Sequence, residues 1–178
     1  MSTLKVNSII PVAGVPTGGG GGIIQVVSTT KTDVFSSSST NTDITGLSVT
    51  ITPISSSSKI LIFMSVTGTN ANTNQRFAFG LKRGSTQIAL GDASSNRTRA
   101  SCGGQDGGGG HCDSNVLVHL DSPNTTSATT YQAISMAIDG GTNIVNRTNS
   151  DSDSSTYPRF ASFITAMEVS AWLLLCII

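Results

Sequence analysis

The sequence is dominated by short segments in which apolar and polar residues alternate. The segment "GLSVTIT" places Leu47, Val49 and Ile51 on one side of an extended chain and hydroxyl side chains on the other. Residues 76–83, "RFAFGLKR", alternate in the same way. A period of two is the pattern of a half-buried β-strand, and no segment shows sustained helical periodicity. The chain is therefore restricted to strand-based folds.

Other segments predict further strands. Residues 59–66, "KILIFMSV", are almost continuously apolar, which is typical of a strand covered on both sides. Residues 130–138, "TYQAISMAI", alternate again, and their apolar side would suit either a core or a subunit interface. Segments 115–120 and 159–169 complete the set, and turn residues separate all of these segments. We predict an all-β fold, a β-sandwich or jelly roll.

Composition limits the classes of function. The chain has 178 residues, which suits one domain, and its formal net charge is zero. Charged residues make up 11% of it, against roughly 25% in typical globular proteins. No basic field is present to attract nucleic acid. Serine runs at 36–39 and 55–58 predict a neutral, hydroxyl-rich surface, which suits an assembled particle better than a cytosolic enzyme.

The first 22 residues differ from the remainder. A short apolar piece, Leu4–Ile10, is followed by two prolines and by the glycine run Gly18–Gly22. So short a segment cannot bury a core of its own and must either dock elsewhere or be disordered. We predict two units: residues 1–22 as a docking segment with a hinge, and residues 23–178 as the β-domain. The predicted hinge residues are Gly18, Gly19, Gly20, Gly21 and Gly22.

The glycine run has alternative interpretations. A phosphate-binding loop would need a lysine at its end and a helix after it, whereas "IIQVV" follows here. We therefore exclude the phosphate site and retain two possibilities. The run is either a hinge, which we favour, or a place where identical chains cross closely.

The last eight residues, Ala171–Ile178, are strongly apolar. A membrane-spanning helix needs about 20 residues, so we expect no membrane insertion. We predict a buried terminal strand that packs on its own domain or on another copy of the chain. The start of the sequence carries no signal-peptide pattern, so we expect synthesis in the cytoplasm.

The segment "SCGGQDGGGGHCDS", residues 101–114, holds the densest group of potential metal ligands. Cys102, His111 and Cys112 could ligate zinc, but a nine-residue spacing with adjacent His and Cys is unusual. We predict a flexible surface loop that forms a contact surface and holds no metal. Asp151 and Asp153 could bind calcium weakly, but solvated turn residues are the favoured interpretation.

Signals for catalysis are few. The chain has two histidines, a single glutamate at Glu168 and no nucleophile-elbow motif. Three cysteines do not suggest a disulfide framework. We predict a protein that is not an enzyme and has no cofactor.

Several longer motifs carry a resemblance that covers about residues 3–169. They are "TLKVNSIIPVAGVPTGGGGGIIQVV", "DITGLSVTITP", "SSKILIFMSV", "GDASSNRTRAS", "LDSPNTTSATTYQ" and "STYPRFASFITAMEV". In these the chain resembles small phage structural proteins of marine phages and cyanophages, described as tail-fibre or virion-appendage proteins. The resemblance implies a homotrimeric fibre with an N-terminal virion anchor and a β-sandwich knob. The apolar extension "SAWLLLCII" departs from the family's pattern.

The resemblance also implies partners and a location in the virion. Partners would be two further copies, other virion proteins of the tail, neck or capsid, and possible host cell-surface glycans or proteins. The predicted anchor residues are Leu4, Val6, Ile9, Ile10, Pro11 and Val12. The predicted host-contact residues are Arg97, Arg99, Gln105, Asp106, His111 and Tyr157. The alternatives are a capsid decoration protein and, disfavoured by the scarcity of carboxylate pairs, a depolymerase.

Overall fold

The alternating segments form β-strands. The computed structural model describes residues 22–108 and 110–170, and among these it contains eleven strands and no helix. The strands are β1 (Ile23–Lys31), β2 (Phe35–Ser37), β3 (Thr42–Ile51), β4 (Lys59–Asn70), β5 (Arg76–Arg83), β6 (Thr86–Ile88), β7 (Cys102–Gln105), β8 (Asp113–Asp121), β9 (Thr129–Met136), β10 (Asn143–Val145) and β11 (Ser162–Val169). The predicted all-β class is confirmed.

The strands form two sheets in which every paired strand is antiparallel. The six-stranded sheet has the order β1-β11-β4-β10-β2, and β8 pairs with the other edge of β4. The five-stranded sheet has the order β3-β9-β5-β6, and β7 pairs with β5 beside β6. β4 is the longest strand at 12 residues. It lies at the centre of the six-stranded sheet, because it pairs with β10, β11 and β8.

One apolar core lies between the two sheets, in the arrangement of a β-sandwich. The predicted inward residues Leu47, Val49 and Ile51 of β3 are at most 5% exposed. The six-stranded sheet contributes side chains from β4, β10 and β11 to the same cluster. Its largest fully buried members are Tyr131, Phe77, Phe79, Ile44, Leu47, Ile51, Ile60, Ile62, Met64 and Leu81. Burial of this much apolar surface is the main stabilising contribution to the fold.

The outer face of the five-stranded sheet carries a small apolar cluster, which the chain itself covers. Ile134 and Met136 of β9 are 0% and 2% exposed, and they pack with Ala78 and with Ala100. Ala100 belongs to the long connection between β6 and β7. Gly80 makes room for them, since a Cβ atom at that position would lie 3.0 Å from Ile134. Two of the three residues on the apolar side predicted for 130–138 thus form part of a second, smaller core, and the third, Ile138, is 37% exposed.

The strand β4 departs from the prediction made for residues 59–66. Its inward side chains Ile60, Ile62 and Met64 are fully buried, whereas the outward Leu61 and Phe63 are half-buried. The prediction that both sides of this strand are covered is therefore wrong for the described chain. A continuous apolar run indicates two apolar faces, but it does not reveal which molecule covers the second one.

A buried polar network fixes one end of the sandwich. Asp121, at the end of β8, accepts hydrogen bonds from the Arg83 guanidinium at 2.8 and 2.9 Å and from the Tyr131 hydroxyl at 2.7 Å. Burial, together with the Asp121 carboxylate, raises the pKa of Tyr131 above its usual range. The network joins the two sheets, since β8 belongs to one and β5 and β9 to the other.

β1 begins at Ile23, and the predicted boundary between residues 1–22 and 23–178 stays a prediction. Gly22 donates to the Ser170 hydroxyl and accepts from the Ser170 amide, each at 3.0 Å, so it is fixed to the end of the sandwich. This position is not the free hinge that we predicted for it. The predicted hinge residues Gly18–Gly21, the anchor residues 4–12 and the terminal segment 171–178 lie outside the described residues.

Candidate functional site

The outer face of the six-stranded sheet carries most of the large apolar side chains that remain exposed. Val116, Val118 and Leu120 project from β8 with exposed fractions of 62%, 53% and 54%. Phe163 on β11 and Val26 on β1 are 43% and 54% exposed. We call this surface the apolar face. Its members are Val26, Leu61, Phe63, Val116, Val118, Leu120, Phe163 and Met167.

The strand register makes the apolar face continuous. Leu61 of β4 lies between Met167 of β11 and Leu120 of β8, and Met167 in turn lies opposite Val26 of β1. Four apolar side chains thus form one row across four strands. In the next row, Phe63 lies opposite Val118. Side chains in such cross-strand positions are in contact, so the rows form one patch instead of scattered residues.

The apolar face is nearly free of charge. Among the outward positions of β1, β4, β8 and β11, Lys59 at one end is the only charged residue, and its Nζ atom donates to Ser122 Oγ at 2.7 Å. The polar positions between the apolar ones carry hydroxyls that bond to each other, such as Ser28 with Thr165 at 2.9 Å. The face therefore offers apolar area and satisfied hydroxyls, without a charge pattern.

A cleft opens on the opposite side of the molecule, beside the loop 91–101. It has a volume of about 480 Å³, and we call it the arginine cleft. Its polar lining includes Arg76, Asp92, Arg97 and Arg99, and its apolar lining includes Ala78, Ala100 and Ile138. Of the predicted host-contact residues, the structure brings Arg97 and Arg99 together here.

The arginines of the cleft differ in how they are held. Arg76 forms an ion pair with Asp139, with 3.0 Å between Nη1 and Oδ2. Arg99 donates from Nε to the carbonyl of Gly91 at 2.6 Å, which orients its guanidinium. In the described part of the chain, the only lysines and arginines without a carboxylate within 4.0 Å are Lys59, Arg97 and Arg99. Two of these three line the same cleft.

The remaining predicted host-contact residues lie near a different group of loops. Gln105 is exposed and donates to the carbonyl of Asn74 at 2.8 Å. His111 accepts at Nδ1 from the amide of Gly107 at 3.1 Å, and its Nε2 lies 3.1 Å from Asp113. The ring of Tyr157 lies against Gly110. These residues are partly or fully accessible.

Asp106 is placed differently from our prediction. Its side chain is completely buried and accepts hydrogen bonds from Thr69 Oγ1 at 2.9 Å, the amide of Gly108 at 3.0 Å and Asn149 Nδ2 at 3.4 Å. A residue in this position cannot touch a host molecule. The carboxylate instead ties the glycine-rich loop to β4 and to the loop that follows β10. This part of the loop is thus held by specific bonds.

The potential metal ligands of the same loop do not converge. Among the residues that the structure describes, no three His, Cys, Asp or Glu side chains are arranged to hold a metal ion. Cys102 and Cys112 donate from sulfur to the carbonyls of Phe79 and Arg147. Burial raises the pKa of Cys102 to about 11 and that of Cys112 to about 12. Both thiols are therefore protonated near neutral pH.

Sequence reasoning did not find the apolar face, although a signal for it was present. The segment 115–120 has apolar residues at both alternating positions, with Leu117 packed on the core and Val116 and Val118 outside it. It also missed Arg76, Asp92 and Ile138 as cleft residues. These come together only through the pairing of β5 with β7 and with β9, which no local pattern indicates.

Over the described ranges, no helix is long and apolar enough to cross a membrane. A scan against protein-family models found no match for this chain. A search of curated proteins found no match either. The apolar face and the arginine cleft are therefore the two features from which a function can be inferred.

Proposed function

We propose that this chain is a non-enzymatic structural protein of a phage virion, and that three copies assemble through the apolar face into a short appendage. The observation that carries the proposal is that apolar side chains form continuous, almost uncharged rows across that face. Exposed apolar surface of this kind marks an interaction site in water. In this function the arginine cleft and the loops around His111 and Tyr157 remain accessible at the surface of the assembly.

A second copy of the chain is the occupant that fits the face best. A closed assembly of three copies brings equivalent surfaces together around one axis, so a face with few charges avoids like-charge repulsion between the copies. Lys59 lies at one end and is the only charged outward residue on the four strands. A charged partner would find no opposite charges to pair with on this surface. A second surface of apolar side chains and hydroxyls can pack against it.

The chain's own terminal segment is a weaker candidate. The described chain ends at Ser170, directly after β11, and eight residues follow it. An extended segment of that length covers about as much area as one further strand, whereas the apolar face is four strands wide. Residues 171–178 would therefore leave most of the face exposed, and their own apolar side chains would add to the surface available for assembly.

The strand order supports the jelly-roll interpretation of the knob. The principal strands pair as β1-β11-β4-β8 in one sheet and β3-β9-β5-β7 in the other. Eight strands divided between two antiparallel sheets, with chain crossings between the sheets, are typical of jelly rolls in virion proteins. A closed trimer agrees with the rule that soluble homo-oligomers have closed symmetry.

The lining of the cleft supports a function in binding without catalysis. Asp92 is the only carboxylate among the residues that line it, and no histidine lines it. Glycoside hydrolysis normally needs two carboxyl groups on opposite sides of the scissile bond. In the proposed appendage, the segment 1–22 attaches the knob to the tail, neck or head, and many weak contacts on one particle add up to firm adsorption.

Immunogold electron microscopy of phage particles tests this function. An antibody against the purified β-domain should label purified particles at a few sites, and mass spectrometry of the particles should detect the chain at a few trimers per particle. Label over the whole head, with hundreds of copies per particle, would show that the chain is a capsid decoration protein and not an appendage. Absence of the chain from purified particles would overturn the virion function altogether.

A further inference from the structure

We propose that the arginine cleft binds a carboxylated sugar of an acidic polysaccharide. The inference rests on the proposed function in one respect only, which is that the glycan would be encountered on a host surface. The binding itself is a property of residues in one chain. It can therefore be tested on the purified protein, independently of where the protein is located.

The first argument is the distribution of charge. The chain has few charged residues, and most of its described lysines and arginines are neutralised by a neighbouring carboxylate. Arg97 and Arg99 are not, and both line the cleft. Because the fold does not use these two guanidinium groups in ion pairs, they are available to an anionic ligand. A guanidinium binds a carboxylate through two parallel hydrogen bonds.

The second argument is the way Arg99 is positioned. Its Nε atom is bound to the carbonyl of Gly91, 2.6 Å away, so the side chain is oriented before any ligand arrives. The two terminal nitrogens make no hydrogen bond to the described protein atoms. Gly91 itself donates to the carbonyl of Ala100 at 3.3 Å, which holds the two ends of the loop together. A group oriented in advance loses less entropy on binding.

The third argument is the mixture of polar and apolar residues in the lining. Ala78, Ala100 and Ile138 offer apolar surface for the C–H face of a sugar ring, and Ile138 is 37% exposed. Asp92 and Ser94 offer acceptors and a donor for sugar hydroxyls. A simple inorganic anion would need neither the apolar surface nor the groups that bind sugar hydroxyls. The Asp92 carboxylate would also repel a densely charged polyanion, so the cleft fits a ligand with well-spaced carboxylates.

The shape of the cleft agrees with a polymeric ligand. Its volume of about 480 Å³ is within the range of ligand-binding sites. The cleft opens onto the surface beside the loop 91–101, so a glycan chain can continue beyond the bound sugar. One such contact is weak, and three of them on a trimer would strengthen attachment by multivalency.

Titration of the purified full-length chain with polygalacturonate tests this inference. Fully methyl-esterified polygalacturonate, which keeps the sugar and loses the charge, is the matched ligand control. We expect binding of the acid form, no measurable binding of the ester, and at least a 10-fold weaker binding by the double variant R97Q/R99Q. Arg159→Gln removes a charge from an exposed arginine outside the cleft and should bind as the unmodified chain does.

Other variants keep the test decisive. Arg97→Lys retains the charge and loses the planar fork, so it should show an intermediate loss. If R97Q/R99Q fails to fold by circular dichroism, Ile138→Glu places a negative charge in the cleft and should also abolish binding. Equal binding by R97Q/R99Q, equal binding of a sulfated glucan, or no binding of the acid form would each overturn the inference. Val118→Asp places a charge on the apolar face and should prevent assembly. Its affinity for the glycan at a single cleft should be unchanged, which separates failure of the cleft from failure of the assembly.

Discussion

Both outer faces of the sandwich carry apolar side chains, but the chain itself covers them on only one face. On the five-stranded sheet, Ile134 and Met136 are buried beneath the loop that contains Ala100. On the six-stranded sheet, Val118 and Leu120 remain more than half exposed. The chain thus covers the apolar side chains of one face and leaves those of the other exposed. This difference is the basis of our proposal that another copy covers the open face.

The strongest effect is expected from a charge on the open face. Val118→Asp should convert the assembled protein to single chains of 18.3 kDa, because each copy would bury an unpaired carboxylate in the proposed interface. The secondary structure should be unchanged, since Val118 is 53% exposed in the single chain. Analytical ultracentrifugation measures the mass, and circular dichroism checks the fold.

The matched control is Thr50→Asp, which places the same charge on an exposed outward position of β3 in the five-stranded sheet. It should leave the mass unchanged. If Thr50→Asp dissociated the assembly and Val118→Asp did not, the interface would lie on the five-stranded sheet.

The covered face should respond in stability and not in assembly. Met136→Ala removes a side chain that is 2% exposed, and we expect a loss of about 2–4 kcal/mol in the free energy of unfolding. Val118→Ala, measured in chains that have already been dissociated by Leu120→Asp, should cost less than about 1 kcal/mol. Urea denaturation of both variants provides the comparison, and similar costs for the two would show that the faces do not differ.

Adjacent residues on β8 provide a finer test, since Asp121 points inward and Leu120 outward. Asp121→Asn weakens the bonds to Arg83 and Tyr131, which cross between the sheets. We expect a loss of about 1–3 kcal/mol without a change of mass. Leu120→Ser should do the opposite and weaken assembly at nearly unchanged single-chain stability. Thermal unfolding and sedimentation of both variants separate the two effects.

The smallest effect concerns the two described thiols. Because burial raises the pKa of Cys102 to about 11 and of Cys112 to about 12, both are almost entirely protonated at pH 8. Alkylation by iodoacetamide should therefore be at least about 100-fold slower in the folded protein than in urea, since the thiolate is the reactive form. Peptide mass spectrometry reports each cysteine separately. Rapid labelling of Cys112 would contradict its burial.

The same shifts have a consequence for stability at high pH. The unfolded chain releases these thiol protons near their ordinary pKa, while the folded chain retains them to a higher pH. Their contribution to stability is complete below about pH 9 and falls as the pH rises towards 11 or 12.

Sequence reasoning recovered the fold class because period-two alternation directly reports which side of a strand is buried. Leu47, Val49 and Ile51 illustrate this, since each lies in the core as predicted. The method failed at Leu61 and Phe63, because an apolar residue on an outer face gives the same pattern whether its own chain or another molecule covers it. Asp106 was misjudged for a related reason. Its glycine-rich surroundings indicated exposure, whereas its side chain is buried and accepts hydrogen bonds from Thr69 and Asn149, which are distant in sequence, and from the nearby Gly108 amide.

The arginine cleft was predicted in part. Arg97 and Arg99 are close in sequence, so a loop that holds both could be recognised without a structure. Their relation to Ile138 and Arg76 depends on strand pairing over long sequence separations, which short motifs do not encode. The sequence therefore indicated Arg97 and Arg99 and missed Arg76, Asp92 and the apolar part of the cleft.

Native mass spectrometry of the full chain at micromolar concentration is the most direct test of the open face as an assembly surface. We predict a principal species of three times 18.3 kDa, which remains a trimer when residues 171–178 or 1–21 are deleted. A monomer of 18.3 kDa across the whole concentration range would contradict the proposed assembly. A monomer in the complete chain that associates only after deletion of a terminal segment would show that this segment covers the face instead.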